Sequence, residues 1–189
     1  MGKIFHWIYC LPLPAVVTAI IILVILWAVI AVCAERGGTG LWWIWLNRIL
    51  LVLYLIIIFR MTITGRHPGV APSDWGLFGK IKAASVQPEY WREMLMNIFL
   101  FEPLGLMLPF AFKRPGNSLK PGKRVLIFII TGFLLSAVIE VIQLKLSIGH
   151  FEAEDVLCNT IGTAIGTGAF IIWTISRKTS RIRNHSSSR

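Results

Sequence analysis

The stretch Val125-Leu-Ile-Phe-Ile-Ile-Thr-Gly-Phe-Leu-Leu-Ser-Ala-Val-Ile-Glu140-Val-Ile-Gln143-Leu-Lys145-Leu146 is apolar almost throughout, until a carboxyl and an amide appear three residues apart near its end. A helix needs about 20 mostly apolar residues to cross the hydrocarbon core of a bilayer, and this run supplies them. Ionisable and amide groups are costly in that layer and persist where a partner satisfies them or a function uses them. Residues three or four apart on a helix share a face, so Glu140 and Gln143 lie together, one to two turns from the end of the span. Working outward, the runs 11–34, 41–59, 93–112 and 155–175 are also long enough. The expected fold class is all-α, a multi-pass transmembrane helix bundle of about five spans.

Composition excludes the main alternatives. With 56% hydrophobic residues in 189, the chain is too apolar for a water-soluble domain. Its formal charge of +10 does not call for a nucleic-acid partner, because the basic residues lie mostly between and after the apolar runs. Positive-inside bias and anionic lipid account for that distribution. Cys10, Cys33 and Cys158 stand in apolar settings without metal spacing, so no disulfide framework, metal site or cofactor is expected. The run 11–34 exceeds the roughly 7 to 15 residues of a signal-peptide core, which favours an uncleaved first helix.

The expected organisation is two N-terminal spans in 1–60, an interfacial or extracellular loop in 61–92, a three-helix core in 93–176 and a basic, disordered, cytoplasmic tail in 177–189. The loop is broken by Gly and Pro from Gly65 to Gly76; Trp75, Phe78, Tyr90 and Trp91 then interleave with Lys80, Lys82 and Arg92, a mix suited to the headgroup region. Trp42, Trp43 and Trp45 open the second span at an interface to which Arg48 can snorkel back. Lys113, Arg114, Lys120, Lys123 and Arg124, with Arg177, Lys178, Arg181, Arg183 and Arg189, belong in the cytoplasm; five spans then leave the N-terminus outside. The acidic turn holding Glu152, Glu154 and Asp155 falls on the outer side.

Three polar pairs arise on this scheme: Glu93 with Asn97, Glu140 with Gln143, and Asp155 with Asn159. All meet at similar depth in the outer leaflet, where with Glu152 they can form one hydrogen-bonded, ligand-binding pocket. An interhelical clamp is the plainer alternative, each such contact being worth roughly 0.6 to 2 kcal/mol. Two carboxyls in one pocket exceed what a clamp requires. Glu102 points elsewhere and lies nearer mid-membrane. Pro103 and Gly105 bend the third span, Pro109 helps to end it, and Gly162 and Gly166 give the last span small-residue faces for close packing.

At these residues the chain resembles the VanZ-like family of small bacterial membrane proteins. Asn97, followed by an apolar run into Phe101-Glu-Pro103-Leu-Gly105, is similar to the family's first pattern; Glu140, Gln143, Glu152, Asp155-Val156, Asn159, Gly162 and Gly166 are similar to its second. The resemblance covers 92–168. It departs at Glu102, where the family is usually apolar, and at Gly149, where many members carry an Arg. It implies a protein of the bacterial cell membrane that modulates sensitivity to teicoplanin and other lipid-tailed glycopeptides. Membrane lipids and a lipid-linked cell-wall precursor are the partners expected. The competing function is a membrane-embedded enzyme acting on a lipid-linked substrate, with Glu140 and Asp155 as acid and base. No nucleophile or metal motif accompanies that pair, so a non-enzymatic role leads.

Overall fold

The structure is a computed structural model that describes residues 18, 21, 25, 41–64, 88–112, 121–148 and 151–186. Every element among them is helical: α1 (Leu41–Thr64), α2 (Pro88–Ala111), α3 (Pro121–Lys145) and α4 (Ala153–Ser186). Four stretches within them, Trp42–Ile63, Tyr90–Ala111, Gly122–Lys145 and Ala153–Ser176, are long and apolar enough to cross a membrane. The chain is an all-α integral membrane protein. The expected first span at 11–34 and the loop residues 65–87 lie outside the described residues.

The observed helices are longer than the sequence suggested. α1 continues to Thr64, and α2 starts at Pro88, a residue whose fixed φ and missing N–H suit the first helical position. α4 runs on to Ser186, where a disordered tail was expected. Arg and Lys are good helix formers, and extending an existing helix avoids the cost of a new nucleus. At the other end of the core, α3 closes with a backbone cap. Ser147 adopts φ 55°, its N–H bonds Leu144 O at 3.2 Å, and Ile148 N–H reaches Gln143 O at 3.1 Å. This pairing satisfies carbonyls that a helix end otherwise leaves open.

The chain divides into two compact units: Met1–Ser73 with Ile139–Phe151, and Asp74–Val138 with Glu152–Arg189. In the first, Leu50, Leu51, Tyr54 and Ile58 form a buried stripe at helical spacing on α1, whereas Ile49, Val52, Leu53, Ile56 and Phe59 stay exposed. An apolar face left exposed on such a helix is what lipid contact requires. At the start of α1, Trp42 and Trp43 stack at 3.9 Å and the Arg48 guanidinium lies 5.0 Å from the Trp45 ring centroid. That aromatic–cation group suits the membrane interface.

In the second unit α2 and α4 run parallel at very close range. Gly162 abuts the backbone of Ile98, Gly166 that of Glu102, and Gly105 that of Thr163. A Cβ at any of these glycines would overlap a carbonyl oxygen. α3 runs antiparallel to α4, with Gly132 against the Thr163 side chain and Ser136 beside Asn159. Phe101, Leu104, Met107 and Leu108 fill the α2 side of the core, and Phe110 packs edge-on against Phe170 at 4.9 Å.

Pro109 was expected to help end this helix, yet α2 continues two residues beyond it. A proline inside a helix frees the carbonyl four residues earlier, here that of Gly105. Thr167 Oγ1 donates to Gly105 O at 3.2 Å, and Thr167 is buried. A neighbouring helix thus restores the bond that the proline removes. An unpaired buried carbonyl would cost about 1–3 kcal/mol.

Candidate functional site

Two polar clusters interrupt the apolar interior, one in each unit. In the first, Glu140 and Gln143 are 2% and 1% exposed. Gln143 Nε2 donates to the Thr62 carbonyl at 2.8 Å. Thr62 stands in the last turn of α1, where carbonyls lack intrahelical donors, so the Gln143 amide closes one of them. Its Oε1 is buried and accepts no hydrogen bond.

The second unit repeats the pattern. Asn159, 3% exposed, donates from Nδ2 to Ser136 Oγ at 2.8 Å, while its Oδ1 is buried and accepts nothing. Its backbone carbonyl accepts from Thr163 Oγ1 at 3.0 Å. Asp155 stands one turn earlier on the same face and is 2% exposed; Glu154 beside it is also buried. Both acids lie in the first turn of α4, where the exposed N–H groups and the helix dipole favour negative charge. The Glu152 carbonyl accepts from the Asp155 N–H at 3.1 Å and opens the helix, and its side chain is half-buried.

The other expected site residues are placed less deeply. Glu93 is exposed and Asn97 half-buried. The register set by Ile98 against Gly162 and Glu102 against Gly166 brings Asn97 within about one turn of Asn159 along the bundle. Glu93 shares that helix face in spacing only, since at the start of α2 it points outward. Glu102 is half-buried, with its backbone against Gly166.

Sequence reasoning missed Ser136 and Thr163, and it placed Glu154 in the acidic turn without expecting its burial. Ser136 carried a usable signal: it lies one turn before Glu140 and one after Gly132, on the polar face of an otherwise apolar helix.

Both clusters have the same chemistry. In each, one amide N–H donates to another helix, the amide oxygen is buried and accepts nothing, and a buried carboxyl stands one turn earlier. Leaving such an oxygen buried and unpaired costs about 1–3 kcal/mol, so a donor from a ligand or ordered water would be bound favourably there.

A family model described as VanZ/LLP1 matches residues 16–174. Protein VanZ of Enterococcus faecium is 36% identical over 76 residues, which are 40% of this chain and 42% of that protein. The similarity therefore spans less than half the relative's length. No solved structure matches the chain.

Proposed function

The chain belongs to the VanZ/LLP1 family, and from that premise we propose that it binds an outer-leaflet lipid or a lipid-linked cell-wall precursor in the bacterial membrane. Through that ligand it alters sensitivity to teicoplanin and related lipid-tailed glycopeptides. The observation that carries this reading is the pair of buried amide oxygens without donors, Gln143 Oε1 and Asn159 Oδ1, each one turn from a buried carboxyl. The interhelical bonds use only the N–H end of each amide and leave the buried oxygen over.

The test replaces charge and keeps shape. Glu140→Gln and Asp155→Asn should accumulate in the membrane at wild-type level yet lose most of the glycopeptide tolerance that the wild type confers on a susceptible host. If both accumulate normally and keep that tolerance, the clusters are structural and the proposal fails.

The proposed orientation places the acidic start of α4 outside and the C-terminus in the cytoplasm, because Lys123, Arg124 and the basic residues after Ser176 lie at the ends opposite that start; the N-terminus is then outside if the expected span at 11–34 also crosses. A cysteine placed at Glu152, in a chain lacking its three native cysteines, should react with an impermeant maleimide added to whole cells. Protection in whole cells with labelling only after lysis would reverse the orientation.

A further inference from the structure

We infer that the outward face of α2 pairs with the same face of a second copy of this chain, side by side in the membrane, with Glu102 at the centre of a contact separate from the two buried polar clusters. Between Leu100 and Ala111 every residue of α2 is buried except Glu102, Leu106 and Phe110. Those three are one helical turn apart and continue the line of Leu95 and Phe99, which are 48% and 59% exposed. α2 therefore presents one narrow stripe outward, made of Leu95, Phe99, Glu102, Leu106 and Phe110, and its single polar residue is Glu102. Among the described residues the Glu102 carboxyl makes no hydrogen bond or ion pair. At 1.5 Å per residue it stands about 18 Å from the Tyr90 end of the span and about 14 Å from the Ala111 end.

A carboxyl at that depth persists where a partner completes its hydrogen bonding. Lipid tails cannot do so, and headgroups lie at the ends of the span. A second copy inserted in the same sense carries its own Glu102 at the same depth. A two-fold axis along the membrane normal brings like positions of the two α2 helices together, so carboxyl meets carboxyl. Such a pair closes through one proton, the O–H of one group donating to an oxygen of the other. The alternating spacing of four and three residues from Leu95 to Leu106 is that of a seam along which two helices pack, and a lone polar residue within such a seam sets register and partner number. Phe99 and Leu106 flank the carboxyl pair and keep lipid from it. The close contact of α2 with α4 at Gly162 and Gly166 holds the helix that presents the stripe.

Full-length protein carrying a donor or an acceptor dye at its C-terminus is reconstituted into phosphatidylglycerol vesicles over a range of protein-to-lipid ratios, and dimer is read by energy transfer. Wild type should dimerise reversibly. Glu102→Leu, which makes the stripe wholly apolar, should weaken dimerisation about tenfold, whereas Glu102→Gln, whose amide both donates and accepts, should stay within about threefold of wild type. In a chain lacking its native cysteines, Phe99→Cys should cross-link between copies on mild oxidation, and Leu134→Cys, similarly exposed on α3, should not. Wild type that stays monomeric at every ratio assigns the stripe to lipid, to a different protein or to the chain's own residues 11–34 and overturns the proposal. Dimerisation unchanged by Glu102→Leu, or equal cross-linking at Leu134, overturns it as well.

Discussion

Gly166→Val should remove most of the protein from the membrane and leave the remainder unstable. The Cβ it adds would overlap the Glu102 carbonyl oxygen and sit 2.8 Å from the Leu106 backbone nitrogen, atoms belonging to a helix backbone that cannot rotate away. Relief requires α2 and α4 to separate, which opens the contact at Gly162 and lengthens the Thr167 bond to Gly105. In lipid, helices associate through close packing and interhelical hydrogen bonds, so both sources of association are lost together. The expected destabilisation exceeds about 3 kcal/mol, the upper end of ordinary overpacking. Gly168 supplies the control: an added Cβ there meets nothing within 4 Å, and Gly168→Ala should be neutral or stabilising by up to about 1 kcal/mol through helix propensity. Membrane abundance and thermal unfolding in detergent, measured on both variants, check the pair. Equal stability of Gly166→Val and wild type would refute the parallel α2–α4 packing.

Asn159→Leu should be the most damaging change at the candidate site, and a second substitution separates its two effects. Alone, it strips Ser136 of the amide that donates to its buried hydroxyl oxygen, which costs about 1–3 kcal/mol. Replacing both partners of a buried hydrogen bond by apolar groups of similar shape can be nearly neutral, so adding Ser136→Ala should recover most of the lost stability. It cannot recover the Asn159 oxygen. The double variant is therefore expected to fold near wild-type stability and to bind no ligand, with unfolding temperature and lipid retention read on the same sample. Full recovery of retention by Ser136→Ala would mean that the amide serves packing only.

The four spans among the described residues were legible because hydropathy and length mark helices able to cross a bilayer. Burial was legible too, since Glu140, Gln143, Asp155 and Asn159 occur where apolar runs leave no other reason for them, and all four are buried. What the sequence hid are the relations that depend on a neighbouring helix. Thr131, Thr160 and Thr174 return their hydroxyls to the carbonyl four residues back, whereas Thr167 crosses to Gly105; nothing in the local sequence marks that difference. Glu93 and Asn97 share spacing but differ in burial, because which face of a helix meets its neighbours is fixed by packing at Gly162 and Gly166. The helical extension to Ser186 was masked by a Ser- and Arg-rich composition that reads as disorder when taken apart from the helix preceding it.

The most direct test of ligand binding is the lipid content of gently purified protein. Wild-type protein and the Asn159→Leu/Ser136→Ala variant, extracted from the same host in a mild detergent, are compared by mass spectrometry of bound lipids at matched folded fraction. The account predicts one lipid species retained by the wild type at near-stoichiometric level and reduced at least tenfold in the variant. Identical lipid profiles for the two proteins would contradict it.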